Sequence, residues 1–228
     1  MKTFIIVFLL CPILSVCFSK TIYRDSLQDT IIVKSENIRI IKSDWAYRFN
    51  AGISKYNYGP KTAAWLGNHY GPDINFSIYY KNFRAELGFK PWTVNPNSEL
   101  TFKNDTLSTF AELNPIKTEI TIGYNLSYPH YFDIEPYIGY LHNSFVVINE
   151  DELKKKYDIP SKGGLTIGCS IFKEIFEYSP YQKLQLFFNS NYNFSDFSKV
   201  NSALDSNFMA FEIGISFQGS FVHIDVLP

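Results

Sequence analysis

A histidine and a serine two residues apart, His142 and Ser144, stand just before an acidic run that opens at Glu150. A serine hydroxyl attacks a carbonyl when a neighbouring base accepts its proton and a carboxylate orients that base. His142, Ser144 and Glu150 therefore supply the residue types for acyl hydrolysis, provided the fold brings them together. A second set is charged: Arg48, Arg84, Glu86, Lys90, Glu119, Asp133, Glu135, Lys183 and Glu212, most of them between two apolar residues. A third set is aromatic. Tyr58, Trp65, His69 and Tyr70 fall among Gly and Pro between Asn57 and Asp73, a composition suited to ligand or protein contact in a loop. His69, His130 and His223 are far apart in the chain and no two histidines have ligand spacing, so no metal site is expected and nothing signals a cofactor.

The elements that must hold these residues are strands. From Trp45 onward the sequence alternates apolar and polar with a period of two, the pattern of a strand with one apolar face. Eight such segments follow one another: Trp45–Tyr56, Ile74–Tyr80, Phe83–Trp92, Lys117–Tyr128, Tyr131–Ile148, Gly164–Phe172, Gln182–Asn193 and Phe208–Gln218. In the third, Phe83, Ala85, Leu87 and Phe89 alternate with Arg84, Glu86, Gly88 and Lys90. Connections two to three, at Lys81-Asn82, four to five, around Pro129-His130, and six to seven are short, and the other four are long. Short turns at one end and long loops at the other describe an all-β, eight-stranded antiparallel up-and-down barrel.

Composition says which way the barrel faces. Of 228 residues, 46% are hydrophobic, 19% charged and 18% aromatic, and the net charge is −1. A balance this close to neutral excludes a nucleic-acid partner, which needs a basic field. Mean hydropathy is −0.10, and no stretch after residue 19 has the ~18 apolar residues that a spanning helix requires. The polar faces of the strands are Gly, Ser, Thr and Asn with a few charges of both signs, without the Lys/Glu density of a solvated exterior. Aromatics gather at strand ends, with Trp45, Tyr47, Tyr128, Tyr131 and Tyr181 at one end and Tyr56, Tyr58, Trp92, Tyr192 and Phe208 at the other. Two such girdles indicate a barrel in a membrane, apolar face outward, rather than a soluble lipocalin-like carrier with an apolar interior. The start of the chain agrees: Met1-Lys2, the apolar run Thr3 to Val16, and Cys17-Phe18-Ser19 read as a secretory signal cut after Ser19. Residues 1–19 are then the signal, 20–44 a periplasmic N-terminal segment, 45–218 the barrel and 219–228 a C-terminal tail. Only Cys169 follows the cut, so no intramolecular disulfide is expected.

Residues 45–218 resemble the small outer-membrane barrels of the OmpA/OmpX type in strand number, strand length and loop alternation. The resemblance implies a bacterial outer-membrane location, an N-terminus in the periplasm and lipopolysaccharide around the outer half. It also implies a bore too narrow for an aqueous channel. Arg48, Arg84, Glu86, Asp133, Glu135, Lys183 and Glu212 would then form an interior charge network that plugs the barrel. Barrels of this type end at an aromatic, which Phe217 matches; Phe221-Val222-His223-Ile224 beyond it either extends the last strand or belongs to the tail. Strand parity puts His142 and Ser144 toward lipid, where the pair with Glu150 resembles the lipid A deacylase barrels over three residues. The favoured expectation is a structural or interaction barrel, with protein partners in the outer membrane. The aromatics of the first long loop either meet a partner or fold over the barrel mouth.

Overall fold

Alternation of side chains decides the architecture, and it does so inside out. Along His69–Tyr80 every apolar residue from Ile74 to Tyr80 is exposed, while Asp73, Asn75, Ser77 and Tyr79 between them are buried. The same inversion runs round the molecule: Ile120 and Ile213 are more than 60% exposed, whereas Arg48 and Lys90 are at 0%. A surface of this kind is stable only where the surrounding solvent is hydrocarbon.

The computed structural model describes residues 23–24, 30–33, 38–91, 93–102, 105–110, 112–128, 132–149, 155–160, 162–197, 201–202 and 204–226. Its barrel strands are β1 Ile38–Tyr58, β2 His69–Tyr80, β3 Phe83–Pro91 and β4 Glu112–Tyr124. They continue as β5 Phe132–Asn149, β6 Lys162–Ser179, β7 Gln182–Asp196 and β8 Asn207–Val226. Each pairs antiparallel with the next, and β8 pairs back onto β1, so the sheet has no edge within the barrel. Register gives the stagger. Ala46 lies opposite Tyr79, Tyr79 opposite Arg84, Arg84 opposite Gly123 and Gly123 opposite Tyr137. From Tyr137 the path crosses Gly168, Asn191 and Ala210 and returns to β1 at Tyr56, ten residues above Ala46. Eight strands with that stagger tilt by about 40°.

The strands outrun the expected barrel at several points. The span 219–228, expected as a tail, instead continues β8 to Val226 and pairs with Ile38–Ala46 across a bulge near Ser220. The segment 20–44 contributes the first residues of β1 together with a strand Thr30–Val33 that pairs with Ile38–Ile41. The β-branched residues Ile38, Ile40, Val222, Ile224 and Val226 explain why these ends stay extended. Beyond β5 a further strand, Lys155–Pro160, pairs with Ser144–Asn149. The signal segment, Trp92, the Pro129-His130 turn, Tyr131 and Asp151–Lys154 lie outside the described residues.

Two further features shape the interior. Gly52 and Gly214 face each other across β1 and β8. A Cβ on Gly214 would sit 2.2 Å from the Ala51 carbonyl oxygen and 2.7 Å from the Phe187 ring, so the Phe187 ring fills the space the glycines leave. The first long loop is not irregular: it holds helix α1, Pro60–Leu66, with Pro at its start, where the missing N–H costs nothing.

Candidate functional site: the barrel lumen and its cap

The lumen is filled at two heights by charged side chains. In the lower level Glu135 on β5 is the centre. It accepts from Arg48 Nη1 at 2.6 Å, Arg84 Nη1 at 3.1 Å, Tyr79 OH at 3.0 Å and Asn125 Nδ2 at 2.9 Å. Arg48 also donates to Gln218 Oε1 at 2.8 Å and lies 3.7 Å over the Phe172 ring. Arg84 is 3.4 Å from Glu86, whose carboxylate accepts from Ser77 Oγ at 2.6 Å. Lys183 reaches Asp133 at 3.2 Å at the lower rim, where the lysine is partly exposed and the carboxylate buried. Parity along seven strands, β1 to β3 and β5 to β8, brings these residues together, because each but Asn125 is an inward position of its strand.

The upper level centres on Lys90 of β3. Its ammonium meets Glu212, Glu119 at 2.7 Å and Asp73 at 3.5 Å. Lys117 pairs with Glu119 at 2.9 Å. Asn189 and Asn191 donate to Glu212 at 2.7 and 2.8 Å, and Tyr137 OH donates to Asn189 at 2.9 Å, tying the two levels. Thus Arg48, Arg84, Glu86 and Glu135 form one network, Asp133 and Lys183 a separate pair, and Glu212 belongs to the upper level. Asp73 and Lys117 were missing from the expected set. Both share the parity of Asn75 and Glu119, but the expected segments begin only at Ile74 and Lys117, whereas β2 and β4 begin earlier, at His69 and Glu112.

Above the upper level the physics changes. Tyr56, Tyr58, Trp65, Leu66, Leu107, Leu113, Phe197, Leu204, Phe208 and Ala210 form one buried apolar cluster. Tyr56, Tyr58 and Phe208 were expected in the outer lipid-facing girdle; they point inward instead, at 0%, 8% and 3% exposure. Their rings cover charged groups that would otherwise open to solvent. The loops that carry the rest are fastened to one another. Asp205 accepts the α1 backbone N–H of Lys61 at 2.7 Å and of Thr62 at 3.3 Å, and its own N–H donates to Thr62 Oγ1 at 2.9 Å. Asn97 N donates to the Trp65 carbonyl at 2.6 Å, and Asn201 Nδ2 to the Thr101 carbonyl at 3.2 Å.

The four residues expected to offer a binding surface therefore divide. Tyr58 and Trp65 are buried in the cap, and His69 packs with ring centroids 5.2 Å from Tyr56 and 5.4 Å from Tyr58. Tyr70 alone is exposed, at 63%, with Lys55 Nζ 5.6 Å from its ring. Of the hydrolytic set, His142 lies opposite Thr118 on β4, Ser144 opposite Ile116 and Pro160, and Glu150 is outside the described residues. Among the described residues no three His, Cys, Asp or Glu are grouped to hold a metal ion.

A closed eight-stranded wall, an apolar exterior and a polar, side-chain-filled lumen decide the architecture. It is that of a small outer-membrane β-barrel. The chain matches no protein-family model and no curated protein. Among solved structures it is similar to Ail, the attachment invasion locus protein of Yersinia pestis, solved with the heparin analogue sucrose octasulfate. That match has 10% identity and a TM-score of 0.43, over 76% of this chain and 97% of that one. It is also similar to the N-terminal β-barrel domain of Pseudomonas aeruginosa OprF, at 12% identity and TM-score 0.42, over 78% and 98%. A third is P. aeruginosa OprG, at 11% identity and TM-score 0.44, over 81% and 97%. The barrel itself rests on the register and closure of this chain's own strands.

Proposed function

We propose that the chain is an integral barrel of the bacterial outer membrane, short turns and N-terminus toward the periplasm, that works by contact rather than by transport. The observation that carries this is the lumen: two levels of paired charge span it, and the apolar cap closes its loop end. A barrel of this bore leaves no aqueous path once side chains fill it. A carrier of apolar ligands needs an apolar lumen, and the lumen below this cap is charged. What remains for function is the surface, namely the loop face above the cap, the lipid-facing wall and the periplasmic strand extension. Partners are then outer-membrane lipid, with lipopolysaccharide on the loop side, and proteins of the envelope. Purified chain in planar bilayers tests the reading: it is expected to give no steady single-channel conductance, and large steady openings would overturn it. Membrane fractionation with heat-modifiable gel mobility tests the location.

A further inference from the structure

One part of the outer wall is indented. Near the short-turn rim, Ala85 on β3 is a small outward residue set among large ones, and an open groove of about 710 Å³ runs over it and over the backbone of Gly123 on β4. That is within the roughly 300–1,000 Å³ of small-molecule sites. Its walls are aromatic and aliphatic: Trp45 and Tyr80 meet at 5.0 Å on one side, Phe83 and Tyr124 edge-to-face at 5.2 Å on the other. Ile122 rises above the floor, 63% exposed. The groove therefore lies in the hydrocarbon band, where an aliphatic chain is its natural content.

The rim beneath it is charged with both signs. Lys81 and Asp44 follow and precede Tyr80 and Trp45 in sequence, and both side chains are about 60% exposed, 3.8 Å apart. The Lys81 N–H donates to the Asp44 carbonyl at 2.7 Å, which fixes the two residues side by side. The ammonium stays 5.6 Å from the Tyr80 ring that lines the groove. Asn82, next in the turn, donates its amide to Tyr124 OH at 3.3 Å. One cation and one anion at the foot of an acyl-sized groove complement a headgroup that itself carries both signs.

We infer that this groove holds a phospholipid of the periplasmic leaflet with a zwitterionic aminoalcohol headgroup. One acyl chain lies over Ala85 and Gly123, the phosphate pairs with Lys81 and the headgroup ammonium pairs with Asp44. The inference rests on the reading of the chain as a membrane barrel with its short turns in the periplasm.

The test uses the full chain, extracted from membranes in mild detergent, delipidated, and offered phosphatidylethanolamine or phosphatidylglycerol before native mass spectrometry. One phosphatidylethanolamine is expected to stay bound per chain, retained at least tenfold better than phosphatidylglycerol. Ala85→Trp, which fills the floor, and Lys81→Glu, on the exposed turn, should each lower retention at least tenfold. Asp44→Lys combined with Lys81→Glu should recover part of it, because the paired signs are restored in reverse. Equal retention of the two lipids, or retention unchanged in Ala85→Trp and Lys81→Glu, overturns the inference. Should Ala85→Trp fail to fold, shown by loss of the heat-dependent gel shift, Lys81→Glu and the charge reversal carry the test alone. A chain found outside the membrane fraction would instead sink the barrel's membrane reading, a result distinct from a membrane-embedded barrel that retains no lipid.

Discussion

The lower lumen and the cap close the same tube by opposite means. Around Glu135, closure is by direction: two guanidiniums, a phenol and an amide all aim at one carboxylate. Around Trp65, closure is by volume: rings and aliphatic chains from β1, α1, β4, β8 and the loops pack into one buried cluster. The first kind is intolerant of a missing partner, because a buried charge left alone cannot be rehydrated. The second is tolerant of chemistry but not of lost volume. The difference also sets where each can be built. Paired charges need the fixed spacing of strands, whereas the apolar cap can be assembled from loops as long as they are fastened together.

The largest effect is expected at the centre of the directional level. Glu135→Ala leaves Arg48 and Arg84 facing each other in a closed lumen, and breaking one buried pair costs about 3–5 kcal/mol. With two pairs broken, the variant should lose the heat-dependent shift in gel mobility of the folded barrel. Glu135→Gln keeps the shape and an acceptor oxygen, so it should be destabilised less, measured as the midpoint of urea unfolding in detergent. Equal midpoints for the two variants would show that the shape and acceptor oxygen kept by Gln contribute little and that the lost charge carries the effect. The cap gives the next effect: Trp65→Ala removes a side chain that is 2% exposed, a change worth about 3–5 kcal/mol in a packed core. Here the loss should be local. The gel shift should survive, while limited proteolysis should cut the first long loop much faster than in the parent chain.

The two regions also differ in how far they could be read from sequence. Parity found the interior charges on strands, since each lies two residues from another inward position: Arg84 and Glu86, Asp133 and Glu135. It misses Asp73 and Lys117, because the apolar alternation starts only at Ile74 and Lys117 while β2 and β4 reach back to His69 and Glu112. It also misplaced Tyr56, Tyr58 and Phe208. Their side chains are aromatic at a strand end, the composition of a lipid girdle, yet their spacing from Arg48 and Glu212 is even and therefore inward. Parity was the better guide there, and residue type the worse. The cap was illegible for a different reason. Leu107, Phe197, Leu204 and Trp65 come from three loops, and no local period brings such residues together. The strand extensions past Gln218 and before Trp45 were legible only as β-branched pairs, because their partners are at opposite ends of the chain. The lipid-side groove follows from the outward Ala85, whose larger neighbours Ile78 and Ile122 come beside it only once β2, β3 and β4 pair.

A smaller effect separates the cap's fastening from its packing. Asp205 sits in the last long loop and accepts two backbone N–H groups at the start of α1. Removing a side chain that caps a helix start costs about 0.5–2 kcal/mol. Asp205→Ala should therefore speed amide hydrogen exchange in Pro60–Leu66 by roughly tenfold, the equivalent of ~1.4 kcal/mol, and leave β1 to β8 unchanged. If exchange in α1 does not move, packing of Trp65 and Leu66 alone holds the helix, and the latch is incidental.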